Sequence, residues 1–394
     1  MMRIGSAIAI FIALLGLTIF AFAQQAAERI RGEPSWELLS AADARATPEV
    51  SAKLRRLLAR QPLDQAKLNL LFATEAKGDL ADARRQSFTK TLNELGWRDT
   101  PTQQNLIVEA ARTNDPNAAI LHIDALLRRG KLTDDILPVL LQIEAVPQAT
   151  ALLAGRLEKH PHWRVKYLHF IAKAQNPTSV AARVRLLNRM LDDGDQLSHA
   201  ELKPSLDAMV RQGLRKEALG IAMRANGSRV DGELVYDPDF SKFVALPARD
   251  RENPLPFEWD ARSQPGASAQ IVGQGQGGQL RVRWNGNGAP IVARTMTLVQ
   301  ADQVPDLKVV VDSLDAASSL DEFRFELICR GQRPVTFRMG DGRISNNVAT
   351  YRADGPAPCD YPDLVMRGYP RGRNASAEVT IETLRLVMPE RSGR

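Results

Sequence analysis

The sequence is poor in the side chains that most metal and nucleophilic chemistry requires, because its 394 residues include only 2 cysteines and 5 histidines. Every histidine lies before residue 200, namely His122, His160, His162, His169 and His199. A zinc site needs several Cys, His or carboxylate ligands close together, and no compact set of them accompanies these histidines. A Ser-His-Asp arrangement would have to join two distant parts of the chain. We therefore predict no catalytic residue and no metal site.

Cofactor and nucleotide motifs are also lacking, since the chain has no Walker A, H-E-x-x-H or G-x-S-x-G sequence. Gly273, Gly275 and Gly278 do match G-x-G-x-x-G. Dinucleotide binding, however, needs a helix after the motif, with its N-terminus at the pyrophosphate. Residues 279–284 alternate between polar and apolar side chains as a strand does, so the glycines predict a loop between strands. We predict no cofactor and no enzymatic activity.

A concentrated run of one charge is missing as well. The 52 basic and 46 acidic side chains give a net charge of +6 and a pI of about 9.4. Basic and acidic residues are interleaved almost everywhere, whereas a phosphate backbone requires a patch or stripe of positive charge. The sequence therefore predicts no nucleic-acid partner.

Residues 4–23 carry no charged side chain at all. Arg3 precedes this stretch and Ala21-Phe22-Ala23 ends it, which are the parts of a secretory signal peptide. About 20 apolar residues would also span a bilayer as one helix. We favour cleavage after Ala23, with an uncleaved anchor as the alternative. Both export the rest of the chain, and if the segment is not cleaved the chain would touch a membrane only through residues 4–23. Residues 24–47 are expected to form a linker and a first helix.

The next part of the chain, residues 48–226, has helical periodicity. Leu54, Leu57 and Leu58 have the spacing of one helix face. Turn residues recur, each with a small side chain a few residues later: Ala81, Ala118, Ala149, Ala181 and Ala218. These alanines are about 34 residues apart on average, which is the tetratricopeptide period. We predict a degenerate tetratricopeptide-like α-solenoid of about five helix pairs, with a plain helical bundle as the alternative.

A period of two replaces the helical period after the proline-rich linker at 227–254. The alternating apolar positions are Leu280, Val282 and Trp284; Leu307, Val309 and Val311; Phe323, Phe325, Leu327 and Cys329; Val379 and Ile381. The alternation changes phase between Ile381 and Leu384, which predicts a β-bulge near Thr383. About eight or nine such runs predict a jelly-roll β-sandwich over residues 255–390. The predicted fold class is thus multidomain, α then β.

Both cysteines, Cys329 and Cys359, fall in this β half. In an exported protein, two cysteines within one domain most simply form a disulfide. Closing a loop of about 30 residues would stabilise the fold by roughly 3 to 4 kcal/mol. Two buried reduced thiols are the alternative, because Cys329 continues an apolar strand face.

Four aromatic residues of the β half are candidates for glycan contact: Trp284, Tyr351, Tyr361 and Tyr369. A flat ring beside amide or guanidinium donors suits a sugar, which has an apolar face and a polar edge. Packing in the core or in turns is the alternative for each ring. It is favoured for Trp284, which continues the face of Leu280 and Val282.

Several segments resemble a group of exported bacterial tetratricopeptide-repeat proteins. They are PLDQA at 62–66, KGDLADA at 77–83, NDPNAA at 114–119, ALLR at 125–128, HWR at 162–164 and PFEW at 256–259. In that group an N-terminal hydrophobic segment precedes the helices, and a β domain follows that begins with a Pro-Phe-x-Trp element. The C-terminal half is also similar in pattern to carbohydrate-binding jelly rolls, although it lacks a calcium-ligand cluster. The resemblance implies a role in envelope or exopolysaccharide assembly.

We expect a non-enzymatic adaptor in the periplasm, or tethered to the inner membrane by one N-terminal anchor. Helical repeats generally bind peptides or proteins in their groove, so the array would hold a protein partner. The β-sandwich would contact an envelope polysaccharide. An enzyme of polysaccharide modification with carboxylates between the domains is one alternative, and an assembly factor without glycan contact is another.

Overall fold

The structure is a computed structural model that describes residues 48–76, 82–96, 98–173, 176–226, 233–274, 277–313, 319–339, 347–369 and 376–389. Within these ranges helices come first and a ten-stranded sheet follows, which confirms the predicted α-then-β order. The predicted signal peptide or anchor and the predicted linker and first helix, residues 1–47 together, lie outside the described residues. No helix in the described ranges has the length and apolarity needed to cross a membrane.

Thirteen α-helices are described. They are α1 Pro48–Arg60, α2 Gln65–Ala76, α3 Asp82–Leu95, α4 Thr100–Arg112, α5 Pro116–Arg128, α6 Thr133–Glu144, α7 Pro147–Leu157, α8 Arg164–Phe170, α9 Pro177–Asp192, α10 His199–Arg211, α11 Arg215–Ala225, α12 Ser241–Ala245 and α13 Ala248–Arg251. Four helices begin with a proline at their first position, at residues 48, 116, 147 and 177. A proline is favoured there because its missing N–H would have no partner inside the helix. The predicted breaks before α5, α7 and α9 are thereby confirmed.

The chain divides into two compact units, residues 1–195 and 196–394. This division precedes the boundary predicted near residue 226, because α10 and α11 are bonded to the β part of the chain. His199 Nε2 on α10 lies 2.9 Å from Glu258 Oε2. Arg215 on α11 donates from Nη1 to Asp363 Oδ1 at 2.8 Å. Helices α10 and α11 therefore belong to the second unit.

The alanines predicted to lie between closely packed helices differ in how deeply they are buried. Ala149 and Ala218 are completely buried, as the prediction requires. Ala118 is only partly buried and Ala181 is exposed, and the buried small residue is the next one in each helix, Ala119 or Ala182. Successive helical residues point about 100° apart, so a shift of one position brings the other alanine inward. Ala81 lies outside the described residues.

A buried ion-pair cluster lies within the first unit. Arg183 on α9 donates from Nε to Glu144 Oε1 at 2.9 Å and from Nη1 to the carbonyl of Leu168 at 2.9 Å. The Tyr167 hydroxyl donates to the same carboxylate, and Arg183 lies 4.8 Å from the centroid of the Tyr167 ring. The side chains of Glu144 and Arg183 are both fully buried, so each charge depends on the other.

The second unit contains ten strands: β1 Asp260–Ala261, β2 Ala267–Gln274, β3 Gly277–Trp284, β4 Ile291–Met296, β5 Asp306–Val311, β6 Phe323–Ile328, β7 Val335–Met339, β8 Val348–Ala353, β9 Asp363–Gly368 and β10 Ala377–Val387. Their order in the sheet is β1-β4-β9-β6-β7-β8-β5-β10-β3-β2. All pairs are antiparallel. Strands β3 to β10 form nested pairs, in which the first strand of the set pairs with the last and the innermost two pair with each other: β3 with β10, β4 with β9, β5 with β8 and β6 with β7. End strand β2 also contacts β1 and β4, so the sheet is nearly closed.

The core of this unit follows the predicted alternation. Leu280, Val282 and Trp284 of β3 are buried, and so are the apolar positions of β5 and β6. In β10 the pairing with β5 shifts between Ile381 and Thr383, which confirms the predicted bulge. The shift returns Leu384 and Leu386 to the buried face.

The glycine motif lies in a β-hairpin. Gly273 on β2 pairs with Gly278 on β3, so a strand follows the motif, as predicted; Gly275 lies outside the described residues. A Cβ on Gly278 would come within 2.8 Å of Phe240, because the segment that leads into α12 packs against this strand. The Gly278 amide donates to the carbonyl of Asp239 at 3.0 Å. Close backbone approach therefore explains the glycine.

Candidate functional site: a cavity beside Tyr361

Two of the four aromatic candidates lie in the core. The Trp284 side chain is 2% exposed, with its ring packed against Phe323 and against the backbone of Gly368. Tyr351 is 5% exposed and its ring lies 5.2 Å from that of Phe325, measured between centroids. Both side chains point inward on their strands and are almost completely buried.

Tyr369 lies at the surface just after β9 and is 38% exposed. The guanidinium carbon of Arg324 lies 3.6 Å from the centroid of its ring. This cation–π contact covers one face of the ring. Only the opposite face of the Tyr369 ring therefore remains for a ligand.

Tyr361 lines a cavity of about 320 Å³. The other lining residues come from the α10–α11 turn and from two loops of the β part: Gly213, Arg215, Lys216, Glu217, Gln300 and Asp360. Tyr361 is partly exposed, and Lys216, Glu217, Gln300 and Asp360 are exposed. An aromatic side chain, two cations, two carboxylates and one amide thus surround one space.

The loop that carries Tyr361 is tied to the loop that follows β4. The Tyr361 amide donates to the carbonyl of Val299 at 2.7 Å, and the Ala301 amide donates to Asp360 Oδ1 at 2.7 Å. Tyr361 has a φ of 56°, in the left-handed region that non-glycine residues adopt at a cost of roughly 1 to 3 kcal/mol. The surrounding bonds hold it there, and strained residues of this kind are common at binding sites.

The predicted disulfide is present, between Cys329 after β6 and Cys359. The two Cα atoms are 6.3 Å apart. Cys359 immediately precedes Asp360 and Tyr361, so the covalent bond anchors one wall of the cavity to the sheet. A rigid loop loses less conformational entropy when a ligand binds.

Arg215 joins the other wall to the same loop. Its Nη1 donates to the carbonyl of Tyr361 at 2.6 Å and to Asp363 Oδ1 at 2.8 Å. Arg215 is the first residue of α11, and Leu214 before it provides no side-chain cap. Lys216 and Glu217 follow on the first turn of the helix and line the cavity. The helix start therefore supplies one charge of each sign beside the position fixed by Arg215.

This set of groups suits an uncharged or weakly charged polar ligand. Hydroxyl groups could donate to the carboxylates and accept from Lys216 and Gln300, while an apolar ring face would contact the aromatic side chain. Within the described ranges no three His, Cys, Asp or Glu side chains are placed to hold a metal ion. A sugar unit has the required combination of hydroxyl groups and apolar face.

A larger depression of about 430 Å³ lies at the ends of β2, β3 and β10. Arg283, Glu378 and the buried Trp284 line it. Arg283 and Glu378 pair with each other at 2.8 Å, which leaves backbone and small residues for most of its wall. Its chemistry is less varied than that of the Tyr361 cavity, despite the larger volume.

No protein-family model, curated protein or solved structure matches the chain at a significant level. The site must therefore be interpreted from its own chemistry. The sequence placed Tyr361 among four aromatic candidates but gave no reason to select Arg215, Lys216 or Gln300. The one local signal is that Asp360 and Tyr361 adjoin a cysteine.

Proposed function

We propose that this chain is an exported, non-enzymatic adaptor whose β part binds a glycan unit in the cavity beside Tyr361. The observation that carries the proposal is the cavity itself, where an aromatic side chain, cations, carboxylates and an amide meet on disulfide-anchored loops. Disulfides persist in oxidising compartments, which supports export. The charge-free stretch at residues 4–23 supports it too.

The finer fold assignment for the β part is a jelly roll. Its support is the nested pairing of β3 with β10, β4 with β9, β5 with β8 and β6 with β7. One long antiparallel hairpin, folded over into two layers, has this order, and two Greek keys result. Strands β1 and β2 extend the two ends of the eight-stranded arrangement.

For the helices we propose a tetratricopeptide-like array that holds a protein partner. Each of α2, α5 and α7 contacts the helix two places further on, as stacked helix pairs do. Polar contacts between side chains also recur at repeat-like distances in sequence. Asn69 donates to Thr102, 33 residues later, and Trp163 donates to Asp124, 39 residues earlier. Stacked pairs expose a continuous groove suited to a peptide or protein.

The decisive experiment compares variants of the purified protein on an array of neutral and acidic oligosaccharides, with calorimetry on the best binder. Tyr361→Ala should weaken binding about tenfold, because an aromatic contact contributes roughly 1 to 1.5 kcal/mol. Tyr361→Phe should retain most of the affinity. Tyr369→Ala is the matched control and should change affinity less than twofold. Equal losses for Tyr361→Ala and Tyr369→Ala, or no binding by the wild type, would contradict the proposal.

A second candidate function, modification of a polysaccharide, is favoured by one observation: Glu217 and Asp360 line the same cavity. Two carboxylates can act as acid and base on a glycosidic bond when they flank it. The oligosaccharide bound in the array should then be cleaved, and Glu217→Gln should abolish the reaction while it preserves binding. Mass spectrometry of the recovered oligosaccharide would distinguish the two functions.

A further inference from the structure

The outward face of five neighbouring strands, β7, β8, β5, β10 and β3, carries a row of cations. We name this surface the basic face and define it by six residues: Arg338, Arg352, Lys308, Arg385, Arg281 and Arg283. Each of the six is exposed, and its neighbours in the strand are buried, except for Met339, which follows Arg338 and is 37% exposed. The sequence alone did not indicate this surface, because the six residues are scattered over more than 100 positions.

Two pairs of cations on this face are directly opposite one another. Arg338 on β7 pairs in register with Arg352 on β8, and Lys308 on β5 pairs with Arg385 on β10. Like charges directly opposite in an antiparallel pair destabilise a sheet. Folding therefore does not account for them, and residues that break such a local rule are commonly functional.

Acidic groups pair with four of the six cations of the basic face, two of them at long distances. Arg352 lies 3.7 Å from Asp306, Arg338 lies 3.6 Å from Asp354, and the arginine side chains of these two pairs are 77% and 78% exposed. Closer pairs connect Arg385 with Glu233 at 3.2 Å and Arg283 with Glu378 at 2.8 Å. Among the described residues Lys308 and Arg281 have no ion-pair partner. Exposed pairs of this kind contribute little to stability, so a polyanion could replace the acids.

The other side chains on this face restrict the kind of polyanion. In the described residues, the outward positions of the five strands hold threonines, valines, Gly277, Gln279 and charged side chains but no aromatic one. Sequence-tolerant binding of single-stranded nucleic acid depends on bases stacked upon aromatic rings. Peripheral membrane binding uses large apolar or aromatic side chains beside the cations. No aromatic ring is present at these outward positions for bases to stack on. The large apolar side chains nearby, Met339 and Met388, lie at strand ends and are 37% and 45% exposed, whereas guanidinium groups, which pair well with separate carboxylates, are spread over the face.

We propose that the basic face binds an anionic polysaccharide through its carboxylate groups. Neighbouring strands are about 4.8 Å apart, so an extended polyuronate could lie across several strands and meet a cation on each. This inference rests on the proposed glycan-binding role but uses a surface separate from the Tyr361 cavity. The inference adds that the glycan recognised by the protein is negatively charged.

The test is affinity electrophoresis and calorimetry of the purified protein with polygalacturonate, and with dextran as the neutral polymer. Wild type should bind polygalacturonate, weaken as salt screens the charges, and ignore dextran. The variant Lys308→Gln/Arg352→Gln/Arg385→Gln should lose at least tenfold in affinity and should melt no lower than wild type, because repulsion is relieved. A matched variant, Arg249→Gln/Arg262→Gln/Arg294→Gln, removes the same charge from exposed arginines elsewhere in the unit and should bind as wild type does.

Several outcomes would overturn the inference. Equal losses in the two triple variants would show that net charge, not this face, attracts the polymer. Tighter binding to single-stranded DNA or to vesicles of anionic lipid would replace the polysaccharide by another partner. Loss of polygalacturonate binding in Tyr361→Ala alone would place the acidic glycan in the cavity. That result would leave the proposed function intact and remove the role of the basic face.

Discussion

At the scale of single residues, the carboxylate of Asp237 is buried in the segment that leads into α12. This segment packs on the β2–β3 hairpin. It is 2% exposed and accepts hydrogen bonds from the amides of Lys242 and Phe243 at 3.1 and 2.8 Å. Burial raises the pKa of Asp237 to about 6, although these two bonds act in the opposite direction. The carboxylate therefore helps to start α12 but is costly to ionise.

The raised pKa predicts how stability depends on pH. The folded state binds the Asp237 proton more tightly than the unfolded state, in which the pKa is near the ordinary aspartate value of 3.8. This contribution is therefore greatest at low pH and is lost as pH rises from about 4 through about 6. The loss is on the order of 3 kcal/mol, from about 1.4 kcal/mol per pKa unit. Urea unfolding between pH 4 and 7.5 should show that the free energy of unfolding of the wild type rises relative to that of Asp237→Asn as pH falls. A difference in stability that does not change with pH would refute the assignment.

Gly278 gives a prediction about close packing. In Gly278→Ala the new methyl group would meet Phe240 and Val244 within 2.9 Å, so the segment before α12 would have to move. Overpacking of this kind costs about 1 to 3 kcal/mol. Gly355→Ala is the control, since nothing lies within 4 Å of its added Cβ, and its stability should match wild type. Denaturant melts of both variants measure the difference, and equal stabilities would mean that the segment adapts freely.

Residue-scale prediction succeeded where a period existed. The alternation of β3 placed Trp284 in the core, and the structure agrees. Tyr361 lies in a loop, where no period relates side chains to the core, and its left-handed backbone is fixed by Val299 and Arg215 from distant parts of the chain. Its position at a cavity could not follow from local sequence.

At the scale of elements, the Glu144–Arg183 pair connects α6 with α9 in the first unit. Burial of the hydroxyl and the adjacent Glu144 charge hold the pKa of Tyr167 well above its usual value. The same carboxylate raises the pKa of Arg183, against the effect of burial. The group is thus arranged to keep one negative and one positive charge and a neutral phenol.

Removal of one partner should be severe. Arg183→Met would leave Glu144 buried without its cation, and uncompensated charges of this kind cost about 3 to 5 kcal/mol. Arg189→Met on the same helix is the control, because its pair with Asp193 is half exposed and should contribute at most about 1 kcal/mol. Thermal unfolding followed by circular dichroism would compare them. Similar losses in both variants would show that the buried pair is not essential to the helical packing.

Element boundaries were well determined when proline or a phase change marked them. The prolines at 116, 147 and 177 begin helices, and the phase change before Leu384 coincides with a bulge. The choice of the buried alanine was less certain, since adjacent alanines such as Ala118 and Ala119 satisfy the same spacing. Only the rotation of the packed helix selects one of them.

At the scale of the whole molecule, the disulfide belongs to one unit alone. Cys329 and Cys359 are the chain's only cysteines, so reduction should lower the melting temperature of the second unit and leave that of the first unchanged. A loss of roughly 3 to 4 kcal/mol corresponds to a shift on the order of 10 °C. Calorimetry with and without reductant measures it, and Cys329→Ser/Cys359→Ser should reproduce it. A shift of both transitions together would contradict independent units.

The sequence by itself determined the order of helices and strands, the β-bulge and the two cysteines available for a disulfide, because periodicity and composition are local properties. Tertiary structure decided which unit contains α10 and α11, which of four aromatic residues lines a cavity, and that six scattered cations share one sheet face. Those features depend on contacts between residues far apart in sequence, such as Arg215 with Asp363. No local pattern encodes the partner in such a contact, so only the folded chain reveals it.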